Sequence, residues 1–133
     1  MTESRYLKIL WIYVALTVAA TISIFFPTYS ENLAAAYEAE PDTWLMSNFW
    51  MAVGVLGAFA AAWLTGLVGL FFFKRWARTL SLYSTLAGFF LTPFVGASLY
   101  SGLDASLFEI YTMVWGGILA LSYFSPVSCR FER

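Results

Sequence analysis

Four long apolar runs separated by short polar stretches divide the chain. The first, Tyr6 to Phe26, carries no charge after Lys8 and is followed by Pro27, which continues a helix poorly. The second, from about Trp44 to Phe73, is uncharged throughout. The third extends from about Trp76 to Tyr100 and is free of charge from Thr79 onward. The fourth, from about Ser106 to Tyr123, is closed by Ser125-Pro126. A helix needs about 20 mostly apolar residues to cross a hydrocarbon core about 30 Å thick. The pattern predicts an all-α fold: an integral membrane four-helix bundle forming a single transmembrane domain over residues 1–133, with spans near 6–26, 44–73, 76–100 and 106–123.

The polar stretches add detail. Ser30 is placed to cap a short helix from Glu31 to Glu40, stopped by Pro41. Leu33 and Tyr37, four apart, share a face, which predicts a short outer interfacial helix between spans 1 and 2. Asp42 or Thr43 is then available to cap the second span. The stretch Lys74-Arg75-Trp76-Ala77-Arg78 contains neither Gly nor Pro, so only hydrophobic length marks the reversal, and its breakpoint stays open by several residues. Thr92-Pro93 should bend the third span, because Pro93 cannot donate to the carbonyl of Phe89.

Composition explains why lipid must be the solvent. Of 133 residues, 61% are hydrophobic and only 11% charged, against about 25% charged in a soluble domain. A short chain buries only about two-thirds of its extended surface and could not hide so much apolar area. All seven basic residues fall in three places: Arg5 and Lys8; Lys74, Arg75 and Arg78; Arg130 and Arg133. Basic residues flanking spans prefer the cytoplasm, and four spans put these three segments on one side, so the expected topology is N-in/C-in. Trp and Tyr fit two interfacial belts, with Trp11, Tyr13, Trp76, Tyr83 and Tyr123 inward and Tyr29, Tyr37, Trp44, Trp50, Tyr100 and Tyr111 outward. Trp63 and Trp115 fall near mid-membrane, as packing or as ligand-stacking rings. The first span, preceded by Arg5 and Lys8, is read as a retained helix and not a signal peptide. It exceeds the usual length of about 7–15 residues, and no small-residue cleavage site follows closely.

The same counts exclude several classes. There is no histidine and one cysteine, Cys129, so an intrachain disulfide and a His/Cys metal site are both excluded. No cofactor is expected. The basic residues form no stripe, which argues against nucleic acid. With no paired carboxylate in a span and no nucleophile beside a base, the chain is not expected to be an enzyme.

Small residues recur every fourth position. The second span holds Gly54, Ala58, Ala62 and Gly66 and, beside them, Gly57, Ala61, Thr65 and Gly69. Ala15, Ala19 and Ser23, then Ser84, Gly88, Thr92 and Gly96, then Thr112, Gly116 and Ala120 repeat the pattern in the other spans. Such faces let helix backbones approach closely in lipid. They serve either the bundle itself or, given the doubled stripe of the second span, a partner membrane protein or a second copy forming a homo-oligomer. Glu109 reads either as an ion site within the membrane or as half of a capping box with Ser106. Glu38, Glu40 and Asp42 lack the spacing of a cation loop and read as a solvated face. Lys74, Arg75 and Arg78 beside Trp76 suit anionic headgroups of membrane lipid.

The segments Lys74-Arg75-Trp76-Ala77-Arg78 and Ala120-Leu121-Ser122-Tyr123-Phe124-Ser125-Pro126 resemble those of uncharacterised small four-span inner-membrane proteins of bacteria. The resemblance implies a bacterial inner membrane and no particular activity. The functional expectation is a non-enzymatic membrane protein acting by contact, as an accessory or scaffold subunit, with a transporter or channel for a small or apolar solute as the alternative.

Overall fold

The apolar runs become helices whose ends are shifted by several residues. The computed structural model describes residues 2–23, 25–26, 30–96 and 98–132; Pro27, Tyr29 and Arg133 lie outside them. All regular elements among the described residues are helical: α1 (Glu3–Ser23), α2 (Glu31–Glu38), α3 (Phe49–Phe71), α4 (Arg75–Val95), α5 (Gly102–Phe124) and a 3-10 segment, Pro126–Glu132. Three of them, α1, α3 and α5, are long and apolar enough to cross a membrane. α4 matches their length, but Arg75 and Arg78 open it, and Thr79, Ser81, Ser84, Thr85 and Thr92 dilute its apolar character.

Exposure is inverted relative to a water-soluble fold. Trp11, Ile22, Trp50, Val68, Phe90 and Met113 face outward, whereas Ser81, Ser84 and Ser122 are buried. Lipid tails as solvent make that distribution favourable, because apolar surface costs nothing there and hydroxyls are better held inside. This is the build of a helical membrane protein.

The long helices touch in a ring: α1 packs on α5, α5 on α4 and α4 on α3, and α3 returns to α1 through the Trp63 Nε1–H donated to Tyr13 Oη at 3.1 Å. At the centre Tyr13 stacks on Trp115, centroids 4.8 Å apart, and Trp115 Nε1 donates to Thr85 Oγ1 at 2.7 Å. Tyr13 is thus a core residue, not part of an interfacial belt, and it meets Tyr111, expected at the opposite interface, at 6.3 Å. Both mid-span tryptophans have their N–H groups satisfied by protein, as buried indoles need.

The α3–α4 reversal uses turn chemistry that its residue types conceal. Phe73 adopts a left-handed φ of 52°, Lys74 N–H donates to Gly69 O at 3.0 Å and Phe73 N–H to Leu70 O at 3.2 Å. That pair of bonds is a Schellman ending, normally built on glycine. A non-glycine residue there costs about 1–2 kcal/mol. The Phe73 ring offsets this by packing on Tyr6 at 5.7 Å and Phe131 at 5.3 Å. Tyr6 and Phe131 are fully buried, and Arg130 reaches Glu3 at 3.0 Å. The start of α1, the α3–α4 turn and the 3-10 segment therefore share one end of the molecule.

At the other end three expectations change. Thr43 does not cap α3, which starts at Phe49 behind Asn48 without a side-chain cap. Its hydroxyl instead donates to Phe94 O at 2.7 Å, while its methyl fills the space where Gly96 (φ 95°) lacks a Cβ. Pro93, expected to bend the third span, lies in the last turn of α4, two residues before the helix ends at Val95. The capping box of α5 forms between Ser101 and Asp104, not Ser106 and Glu109. α2 is present behind Ser30, although the Ser30 hydroxyl makes no capping bond and the helix ends at Glu38.

Candidate functional site

The doubled small-residue stripe of α3 is divided by position along the helix, not by ridge. Near the α3–α4 turn both ridges are used. A Cβ on Gly66 would lie 2.6 Å from Ser81 Oγ, and one on Gly69 would lie 2.5 Å from Ala77 Cβ and 2.9 Å from the Trp76 ring. Farther along, a Cβ on Gly88 of α4 would meet the Phe59 ring at 3.0 Å. These antiparallel pairs hold the hairpin by backbone approach. Toward the start of α3 both ridges open outward: a Cβ on Gly54 or Gly57 would meet no atom within 4 Å, and Ala58, Ala61 and Thr65 are exposed. Ala62 lies at the border, half-buried.

The cause is helical geometry. Four residues turn the helix by slightly more than one revolution, so an every-fourth row drifts by about 40° per step. Three steps carry each ridge from the open face to the α4 face.

α5 has a comparable outward strip. Gly102, Glu109, Gly116 and Ala120 are exposed, and a Cβ on Gly102 or Gly116 would meet nothing within 4 Å. Glu109 stands about 10 Å along the axis from the start of α5, beyond reach of the helix's unpaired N–H groups. Its carboxylate therefore does not cap the helix and instead lies on the outer face of an apolar span.

The basic cluster also divides. Arg78 turns inward: its guanidinium lies 5.0 Å from the centroid of Tyr123 and reaches the Ser122 carbonyl near the end of α5, at 3.5 Å. A cation at a helix C-terminus is favourable there. Lys74, Arg75 and Trp76 remain exposed. Lys74 and Trp76 border a shallow groove of about 350 Å³ that continues over Gly69, Val68, Leu64 and Thr65 onto the open face of α3.

Two participants gave no usable signal in the residue pattern. Phe73 lacks the glycine that marks its conformation, and the Thr43–Phe94 bond joins positions far apart in the chain. Ser101-x-x-Asp104 carried the same signature as Ser106-x-x-Glu109 and could have been found from it.

No protein-family model matches the chain, and neither the curated proteins nor the solved structures contain a match.

Proposed function

We propose that the protein is a four-span bundle of a bacterial inner membrane, with both termini cytoplasmic, that acts by contact as an accessory or scaffold subunit. The observation that carries the contact reading is the open half of α3, where Gly54 and Gly57 face empty space beside exposed Ala58, Ala61 and Thr65. Small residues gain little from lipid tails but admit another helix at close range. The occupant is a helix of a partner membrane protein or of a second copy.

α4 supports the fourth span. Its 21 residues extend about 31 Å, enough for a hydrocarbon core. The hydroxyls of Ser84 and Thr85 donate to Ser81 O, and that of Thr92 to Gly88 O, so they present no unmet donor. The gathering of the three basic segments at one end favours the N-in/C-in topology. The bacterial inner membrane rests on the resemblance of residues 74–78 and 120–126. Lys74 and Trp76 bordering an apolar groove, with Arg75 exposed beside them in the chain, suit the headgroup and tail of an anionic lipid. Against a conducting route stands the centre of the bundle, occupied by the stacked Tyr13 and Trp115 rings and by Trp63.

The test is a cysteine at the open face. Gly57→Cys in a Cys129→Ser background, treated with a thiol crosslinker in native membranes, should yield one discrete adduct of about a single partner's mass. The same probe at the lipid-facing Phe90 should yield none. Only uncrosslinked monomer at both positions, with nothing co-purifying in mild detergent, would sink the contact reading. Topology is tested separately: a reporter active only outside the cytoplasm should be silent after Arg130 and active within Glu38–Asp42.

A further inference from the structure

Between the last turns of α1 and the first turns of α5 lies a cavity of about 360 Å³. Its walls include the rings of Tyr100, Phe108 and Tyr111, the Asp104 carboxylate and the side chains of Thr17 and Thr21. Phe108 lies 5.7 Å from Tyr100 with their planes tilted by 33°, and 5.1 Å from Tyr111 at 75°, so the rings do not share one plane. Asp104 Oδ2 accepts the Ser101 hydroxyl at 2.7 Å and the Ser101 N–H at 3.3 Å, which holds the carboxylate, with Oδ1 buried, beside the cavity that Asp104 helps to line. The Thr17 hydroxyl donates to Tyr13 O and the Thr21 hydroxyl to Thr17 O. With their protons committed, both oxygens offer the cavity only lone pairs.

Among the described residues, no basic side chain belongs to this end. Arg78 and Arg130, the basic residues nearest to Asp104 along the chain, sit at the opposite end; Arg78 is against Ser122, about 27 Å farther along α5. The carboxylate therefore has no cationic partner among the described residues, and the adjoining segment adds Glu31, Glu38, Glu40 and Asp42 of the same sign. Ring faces beside a carboxylate, with no cationic side chain at this end among the described residues, disfavour anions and recognise positive charge spread over carbon substituents. A small hydrated metal ion would require more oxygen ligands than one carboxylate and two hydroxyls.

We infer that this cavity binds an organic ammonium cation, with Asp104 supplying the counter-charge and Tyr100, Phe108 and Tyr111 the ring faces. The cation arrives either as a free alkylammonium ion or as the headgroup of a choline- or ethanolamine-type lipid. The inference is independent of the contact reading, since the cavity does not include the open face of α3.

The test uses the full chain in a neutral maltoside detergent, titrated calorimetrically with tetraethylammonium, with choline and with 3,3-dimethylbutanol, the uncharged carbon analogue of choline. Saturable binding of the two cations and none of the alcohol is expected. Asp104→Asn, which retains an acceptor for Ser101, and Phe108→Leu, which leaves the capping box intact, should each weaken cation binding by about tenfold. Repeating the titration in nanodiscs separates the sources: competition by phosphatidylcholine but not phosphatidylglycerol identifies a lipid headgroup, and equal binding in both identifies a free ion. Absence of saturable cation binding, equal binding of the alcohol, or parental affinity in Phe108→Leu would overturn the assignment.

Discussion

The two halves of α3 carry two glycines each and have opposite surroundings. Beside the α3–α4 turn, Gly66 and Gly69 press so closely on Ser81, Ala77 and Trp76 that no methyl fits between them. Toward the other end, Gly54 and Gly57 have nothing beside them. A small-residue motif is thus permission for approach, and the helix it admits is decided by where the ridge has rotated at that depth. The packed half makes a hairpin; the open half leaves a surface with the same chemistry unspent.

The largest effect should fall on the packed half. Gly69→Leu should destabilise the protein by about 3 kcal/mol or prevent accumulation, since overpacking here has the Ala77 Cβ and an indole to displace; unfolding in detergent followed by tryptophan fluorescence measures it. Next comes the turn that closes this half. Phe73→Gly relieves the left-handed strain but removes the ring from Tyr6 and Phe131, and a net loss of about 1–2 kcal/mol is expected. A gain in stability would show that the strain exceeds the packing.

On the open half, Gly54→Leu and Gly57→Leu should both leave the isolated monomer at least as stable, with a gain of up to about 0.8 kcal/mol from helix propensity. Gly54→Leu should also abolish the adduct formed through a cysteine at position 57, and Gly57→Leu should abolish co-purification of the partner in mild detergent. A loss of monomer stability matching that of Gly69→Leu would erase the distinction between the halves. The smallest effect belongs to Glu109→Gln on the outward strip of α5, which should change unfolding by less than about 0.5 kcal/mol, because Glu109 is neither buried nor part of the capping box. A larger loss would place a structural contact on that strip.

Hydrophobic run length located the long helices, because the need for about 20 apolar residues leaves little freedom in where a span can lie. The ends were harder to read for reasons specific to each. Two overlapping signatures, Ser101-x-x-Asp104 and Ser106-x-x-Glu109, compete for the start of α5; the apolar run favours the later one, yet the helix begins a turn and a half earlier. The reversal at Phe72–Lys74 was visible only through length, since its left-handed residue is a phenylalanine stabilised by rings from the far ends of the chain. The small stripes were visible residue by residue, but treating each as a straight ridge concealed the drift that splits them. Nothing in spacing could have brought Tyr13 to Trp115 or Asp104 to the ring pocket, because those meetings depend on how α1 packs on α5.

The pairing of α1 with α5, and of Tyr6 with Phe131, also has a meaning in time. Helices leave the ribosome in order, at about 5–20 residues per second, so α1 waits on the order of ten seconds before α5 exists to receive it. α3 and α4 are neighbours in sequence and close on each other as soon as both are made. During biogenesis the hairpin is therefore the template and α1 the partly matched helix: Tyr6 and Tyr13 can meet Phe73 and Trp63 early, but lack Tyr111, Trp115 and Phe131 until synthesis has passed them. A ribosome stalled before that point would release an assembled hairpin with a first helix missing its main packing partner, a natural substrate for membrane quality control.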